Sequence, residues 1–324
     1  MELCYVNPFF LRDMAYSLGD TRCALADSAE AARLRSSVAD LSSAGFAWHH
    51  VCPPGQYAYD LAWAAVKSLS LPETVDAIVY STCLPHNGNA GDVTAWSETR
   101  DVKHLMDFPA SRMQSALDLG SAAVFGLTQQ GCTGLLGSLR LAGALLASEP
   151  DWRTVLCVTA DRFPDGALYE QSYNLVSDGA AACLVSAAAG RFRVVASHQI
   201  TNGGLHAASD DETVGLFFSY VPNLVRQTLD RAGLAISDID WVVPQNTNHN
   251  AWTIAARLLG VDRDRVCQTT LGEIGHAISA DNIINLLALL DTGTVRPGQH
   301  VLLVMAGHGL NWQATILQAT ERIE

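Results

Sequence analysis

The chain has 324 residues, 49% hydrophobic and only 16% charged, so much of it must be interior, and the length suits two domains or one large duplicated one. Its formal net charge is −13 with no basic run, which argues against nucleic-acid binding, because phosphate contacts need clustered Lys and Arg. Eight cysteines, at 4, 23, 52, 83, 132, 157, 183 and 267, contain no CxxC pair, and several sit in apolar strand-like runs. They read as reduced thiols of an intracellular protein, neither a disulfide framework nor a zinc site. The N-terminus MELCYVNPFF lacks a basic n-region and a cleavage site, and no uninterrupted apolar stretch reaches the length of a membrane span. A cytoplasmic protein is the expectation.

In chain order, the segment from Tyr57 to Cys83 reads as an amphipathic helix, a short turn with Asp76, and a buried strand over Ala77–Tyr80. From Gly88 to Ala110 the chain is polar and irregular, with Asn89, Asp92 and Asp107, an expected excursion over an entrance or a subunit interface. Cys132 follows in Gln129-Gln130-Gly131-Cys132-Thr133-Gly134, flanked by glycines and leading an apolar helical run through Leu139, Leu141, Leu145 and Leu146. A thiol at such a helix N-terminus meets unsatisfied backbone N–H groups and the positive end of the helix dipole, both of which favour thiolate. It is either a nucleophile or a small buried core cysteine. The strand Thr154–Thr159 comes next, then Ser177-Asp178-Gly179-Ala180-Ala181-Ala182 ahead of another strand.

The pattern then repeats. Val221 to Asn248 is again helix, turn, aspartate (Asp240) and strand, over Trp241–Val243. Gly275-His276 opens a helix over Ala280–Leu290 leading to the strand His300–Met305, as Gly131-Cys132 opens a helix leading to Thr154–Thr159. Cys132 lies 23 residues before Val155 and His276 lies 25 before Val301, so a cysteine and a histidine occupy equivalent helix entrances. The halves are placed at 1–190 and 191–324; no Pro/Gly/Ser-rich linker separates them, so they should share a core. Alternating helices and apolar strands argue for α/β layers with sheets buried on both faces.

The duplicated pattern, the cysteine block and the Ser177–Ala182 block resemble the thiolase fold, a duplicated five-layered αβαβα architecture. Within it the chain is similar to the ketoacyl-carrier-protein synthase III enzymes, from Met1 through Gly307-His308-Gly309-Leu310-Asn311-Trp312. Family members carry a Cys, a His in Pro-His-Gln-Ala-Asn and an Asn in Gly-Asn-Thr-Ser. Here Pro244 is followed by Gln245-Asn246-Thr247-Asn248, with Gln245 at the histidine position, and Gly275-His276-Ala277-Ile278 places His276 at the asparagine position. The chain looks like a divergent acyl-transferring subset whose histidine has moved to that second loop.

The resemblance implies a Cys132 acyl-enzyme formed from an acyl thioester, with oxyanion donors from the Cys132 backbone and from Gly309. His276 is the expected base, kept neutral by a helix N-terminus, with His249 and His308 in reserve. Asp281 either orients His276 from the helix start or serves as a first-turn carboxylate. Gln245 and Asn248 either bond the substrate or satisfy local backbone groups. Phe217, Phe218 and Trp312 read as core or acyl-tunnel residues, and no metal motif occurs.

No permanently bound cofactor is implied, and the thioester is a substrate, acyl-CoA or acyl-carrier protein. The arginine expected near Ala44–Trp48 for a pantetheine site is missing, which counts against CoA. The acidic surface counts against direct carrier docking unless a local basic patch overrides it. A small-molecule acceptor with an oxygen, nitrogen or carbon nucleophile and a homodimer complete the expectation, in specialised metabolism. Decarboxylative carbon–carbon condensation and a non-catalytic partner subunit are the alternatives.

Overall fold

A computed structural model describes residues 8–84 and 93–322. Nine strands form the main sheet: β1 (Phe10–Leu18), β2 (Ala77–Ser81), β3 (Ala123–Leu127), β4 (Thr154–Asp161), β5 (Gly179–Ser186), β6 (Phe192–Thr201), β7 (Trp241–Pro244), β8 (His300–Gly307) and β9 (Asn311–Ala319). Their order in space is β7-β8-β9-β6-β1-β5-β4-β2-β3. β1 runs antiparallel to β5 along its length but meets β6 through the pairs Phe10–Arg193 and Leu11–Phe192, so the sheet divides there into two leaves. In the first leaf β2 is parallel to β3 and β4; in the second β7 is parallel to β8.

Helices α1 (Ala58–Lys67) and α2 (Pro109–Ala116) cover the outer face of the first leaf, and α4 (Asp210–Ala232) and α5 (His249–Leu259) cover the outer face of the second. Between the leaves lie α3 (Gly134–Ser148) and α6 (Asp281–Asp291), each touching both. Helix, sheet, helix, sheet, helix is the expected αβαβα order. The strand sequences explain it. β4 sends Val155 and Cys157 into the central cluster and Leu156 and Val158 into the outer one; β8 sends Val301, Leu303 and Met305 inward and Leu302 and Val304 outward. A strand with apolar residues on both faces must be covered twice. Each buried Leu on α3, such as Leu135, Leu136 and Leu139, contributes about 1.5–3 kcal/mol.

The helix ends follow their sequences. Ser209 and Glu212 form a capping box at the start of α4, and α4 and α5 stop at Gly233 and Gly260, which take the left-handed conformation at φ 67 and 72°. The run from Gly131 to Ser148 is, by length and composition alone, apolar enough to cross a membrane, although Thr133, Ser138 and Arg140 interrupt it; it is a mostly buried core helix between the leaves. The described cysteines are free thiols.

Three boundaries differ from expectation. Gly179–Ala182 lies within β5, because these small residues let the strand pack tightly against β1 and β4. α6 begins at Asp281, after a 3-10 turn over Ile278–Ala280. Of the segment 88–110, residues 88–92 lie outside the described region; beyond it the chain forms a helix over Val93–Thr99 and a turn over Val102–Leu105.

Candidate active site

Two turns meet at the centre of the molecule. Cys132 sits in the turn Gly131–Thr133 that leads into α3, and His276 sits in the turn that leads into α6. Glycines allow the approach. Gly131 has φ 52°, and a Cβ on it would lie 2.6 Å from the His308 carbonyl oxygen; a Cβ on Gly307 would lie 2.6 Å from the Cys132 nitrogen. No side chain fits at either position. The Ser279 hydroxyl donates to the Gly131 carbonyl at 3.3 Å, tying one turn to the other. His276 is fixed through its backbone: its N–H donates to the Leu175 carbonyl at 2.8 Å and its carbonyl accepts from the Ser177 N–H at 2.9 Å.

The side chains form a chain of contacts. His276 Nε2 lies 3.4 Å from Cys132 Sγ, and His276 Nδ1 lies 2.5 Å from Asp281 Oδ2. Asp281 is fully buried, and it also accepts from the Asn246 N–H at 2.6 Å and the Ala277 N–H at 2.7 Å. A carboxylate so placed accepts a hydrogen bond from Nδ1–H, and Nε2 is the nitrogen that faces sulfur. Asp281 thus opens α6 and reaches His276 at once; the two readings of its sequence position hold together, because His276 lies in the loop before the helix.

Electrostatics here overturn one expectation. Burial opposes charge on the His276 ring, yet the Asp281 carboxylate and the Cys132 sulfur outweigh it and hold the ring well above the usual histidine range. A helix end alone favours the neutral ring; the facing carboxylate is closer and carries a full charge. The Cys132 thiol is held well below its ordinary range, first by a hydrogen bond with the Cys83 thiol, then by His276 and His308, against the cost of burial. Both directions favour a thiolate beside an imidazolium.

A cavity of about 370 Å³ opens onto Cys132 and His276. Val214, Phe217, Phe218, Ile254, Leu310 and Trp312 supply apolar wall, and among the described residues no Asp, Glu, Lys or Arg lines it. Trp312 is both core and wall: it is 2% exposed and stacks on Tyr220 at 3.9 Å between ring centroids. Gln245 lines the cavity with its amide oriented, because Oε1 accepts from the Ala306 N–H. Its NH₂ is then the end left for the cavity, a donor that cannot accept a proton.

Asn248 also lines the cavity, but its side-chain oxygen caps α5 through the Asn250 N–H at 2.9 Å, the local backbone role. His249 is absent from the cavity wall; its ring nitrogen pairs with Arg263 at 3.1 Å, on the outer side of the α5 start. His308 is in the wall with Gly307, whereas Gly309 is not, because the chain reverses there between β8 and β9.

Residues the sequence did not single out complete the site. Cys83 follows the C-terminal end of β2, where parallel strands place ligands, and that position was the available signal. Asp161 ends β4 beside it; burial raises its carboxyl to about 7, although the Leu84 N–H, the Thr82 hydroxyl and the Cys83 N–H all donate to it. The hairpin Glu170–Leu175 walls the mouth through Gln171, Ser172, Tyr173 and Asn174. Its two-residue turn puts Ser172 and Tyr173 at φ 46 and 63°, a geometry usually signalled by Asn-Gly and not legible from Ser-Tyr.

Comparison with known proteins identifies the family. The chain matches the profile described as 3-oxoacyl-[acyl-carrier-protein] synthase III over residues 128–203 and that of its C-terminal part over 229–319, together just over half its length. It is 26% identical to the β-ketoacyl-[acyl-carrier-protein] synthase III of Chlamydia caviae over 311 residues, covering 86% of this chain and 87% of that one. The structure superposes on 3-oxoacyl-(acyl carrier protein) synthase III from Pseudomonas aeruginosa with a TM-score of 0.79 at 24% identity, covering 97% and 99% of the two chains. The acyltransferase ChlB3 superposes at 0.78 with 19% identity over 97% and 98%, and OleA from Xanthomonas campestris at 0.75 with 15% over 97% and 99%; these two show the fold. With its fold, its paired helix entrances and both profiles in agreement, the chain belongs to the 3-oxoacyl-carrier-protein synthase III family of the thiolase superfamily, a family of acyl-transferring enzymes.

Proposed function

We propose that this enzyme takes an acyl group from a thioester onto Cys132 and passes it to an oxygen or nitrogen of a small acceptor in specialised metabolism. The observation that carries the reading is the buried chain Cys132–His276–Asp281, at 3.4 and 2.5 Å, facing a cavity with no Asp, Glu, Lys or Arg among its described walls. With the Cys132 proton already held on His276 Nε2, the Cys132 thiolate attacks the thioester carbonyl. The tetrahedral oxyanion takes the N–H bond of Cys132 at the start of α3, with the Gln245 NH₂ as a second donor; one such donor is worth about 3 kcal/mol. The leaving thiol carries off the proton from His276. His276 Nε2 then takes the proton of the acceptor hydroxyl or amine as that group attacks the acyl-cysteine, and collapse releases the Cys132 thiolate.

Decarboxylative condensation is the second reading, favoured by one observation: His276 Nε2–H and the Gln245 NH₂ are both donors that a malonyl thioester carbonyl would accept as it becomes an enolate. The donor is acyl-CoA or an acyl-carrier protein. A panel of acyl thioesters of both carriers, including malonyl and methylmalonyl types, with intact-protein mass spectra decides. An acyl adduct on Cys132 that keeps its carboxylate supports transfer; loss of carbon dioxide supports condensation. No adduct from any donor on folded protein overturns both and favours a partner-subunit role.

The same reading includes a homodimer in the cytoplasm. Its support is an edge strand, β3, paired with β2 and exposing Val124, next to α2 and the exposed run Val102, Leu105, Met106 and Phe108 that precedes it. An exposed apolar patch of this kind marks an interaction site. Light scattering at micromolar concentration is expected to give twice the chain mass, and a monomer would remove this part of the proposal.

A further inference from the structure

The loop that follows β7 carries a hydroxyl that the chain itself does not bond. Thr247 is 7% exposed and stands in the wall of the reaction cavity, shortly after Gln245. Its backbone is engaged on both sides: the N–H donates to the Gln245 carbonyl at 2.9 Å, and the carbonyl accepts from the Gln268 side-chain amide. Its Oγ1 is enclosed and has no hydrogen-bond partner among the described residues. Thr213, in the first turn of α4 and in the same wall, repeats the pattern. Its N–H donates to the Ser209 carbonyl at 2.9 Å, and its Oγ1 is enclosed and unpartnered among the described residues.

Neighbouring polar side chains of the wall are engaged within the chain. The Gln245 Oε1 accepts from the Ala306 N–H, the Asn248 oxygen from the Asn250 N–H, and the Asn174 oxygen from the Asn248 N–H at 2.8 Å. Ser172 and Tyr173 donate their hydroxyls to Asp210 at 2.9 Å and to Asp211 at 2.7 Å. Buried polar groups are nearly always paired, because an enclosed hydroxyl without a partner loses its hydration and gains nothing in return. In the wall of a cavity that receives substrate, the missing partner is one the substrate brings.

We propose that Thr247 is a specificity-determining residue, whose hydroxyl bonds a neutral polar group, an amide or a hydroxyl, on the molecule that enters beside Cys132. The proposal rests on the acyl-transfer reading of this cavity and names the chemistry the cavity selects. A hydroxyl both donates and accepts, so it meets an amide carbonyl, an amide N–H or another hydroxyl. Among the described walls no Asp, Glu, Lys or Arg offers an ion pair, so this wall recognises by neutral hydrogen bonds. Phe217, Phe218 and Ile254 take the apolar part of the molecule. Threonine carries its hydroxyl and methyl on one carbon, and a step between staggered χ1 positions exchanges them, bringing Oγ1 to the cavity without moving the backbone. The group it meets belongs to the thioester arm during loading or to the acceptor during transfer.

Loading and transfer are measured separately in the full chain, by intact-protein mass spectra, for wild type, Thr247→Val and Thr247→Ser. Loading uses the acyl group that the thioester panel places on Cys132, carried on N-acetylcysteamine, which has an amide, or on pentanethiol, which matches its length without one. Transfer from the acyl-enzyme uses tyrosol against phenethyl alcohol, which lacks the second hydroxyl. Wild type is expected to prefer the polar member of at least one pair by about fivefold, the worth of one neutral hydrogen bond. Thr247→Val is expected to erase that preference and Thr247→Ser to keep it. A lost loading preference assigns the bond to the thioester arm, and a lost transfer preference assigns it to the acceptor. A wild type without preference, a preference unmoved in Thr247→Val, or a serine variant that follows the valine one overturns the proposal. So does a urea midpoint lowered in Thr247→Val, since the hydroxyl would then be bonded within the fold; an unchanged or raised midpoint is expected. Absence of loading in wild type defeats instead the nucleophile reading beneath it.

Discussion

His276→Ala is expected to slow acylation of Cys132 by about 10²- to 10⁴-fold, the usual worth of a positioned base, measured by quenched-flow intact-mass spectra with an acyl thioester. The variant removes the ring that lies 3.4 Å from the sulfur and with it a cation that offsets the cost of burying the thiolate. The pH profile is a second readout. In wild type the thiolate–imidazolium pair persists between the lowered value of Cys132 and the raised value of His276, so acylation is flat across neutrality and falls on the alkaline side only above the ordinary histidine range. Without His276 the rate climbs steadily with pH as the thiol ionises unaided. A variant that loads at the wild-type rate would remove His276 from the mechanism.

Stability carries the same signature with a definite sign. The folded value of His276 is raised above the unfolded 6.5. Its protonated form therefore stabilises the fold fully below about pH 6.5, and the contribution is lost as pH rises through the folded value.

Asp281→Ala is the most destabilising single change expected at the site, about 3–5 kcal/mol, seen as a lower urea midpoint. It strips the acceptor from three buried donors at once: His276 Nδ1–H, the Asn246 N–H and the Ala277 N–H. Asp281→Asn keeps the shape and separates folding from chemistry. One end of the amide must be NH₂. At the Oδ1 position it meets the Ala277 N–H, donor against donor. At the Oδ2 position it opposes the Asn246 N–H and donates to His276 Nδ1, which moves the ring proton to Nε2 and leaves no acceptor for the Cys132 proton. Acylation is expected to fall by about 10²- to 10⁴-fold in the asparagine variant, in line with a carboxylate that fixes a histidine tautomer. An asparagine variant that folds and loads within about twofold of wild type would show that Asp281 supports the fold and not the reaction.

Local chemistry made part of this site legible. Cys132 announces itself by the glycines around it, which are needed because the backbone of His308 and Gly307 packs directly on that turn. His276 and Asp281 are five residues apart, and a loop followed by a helix start brings them together without help from distant chain. The covering of the sheets on both faces was legible for a related reason: apolar residues on both faces of β4 and β8 can be buried only by cover on both sides, whereas the five-layer order came with the family resemblance.

Other features depended on which residues the fold brings face to face. Asn248 and His249 stand near the reacting positions in sequence, yet one caps α5 and the other turns to Arg263, because the helix start fixes their directions. The charge of His276 was misjudged from the helix end alone, since a dipole of partial charges is outweighed by a full carboxylate at 2.5 Å and a sulfur anion at 3.4 Å. Cys83, 49 positions before Cys132 in the chain, carried no motif at all. Sequence by itself determined the layers and marked Cys132 and His276 at paired helix entrances, with Asp281 near enough in the chain to pair with the histidine, because periodic burial and short-range geometry are written in neighbouring residues. The thiolate–imidazolium pair, the orientation of Gln245 and the second thiol were decided only by tertiary structure, because Coulomb and hydrogen-bond energies depend on distances that close only when both leaves of the sheet are in place.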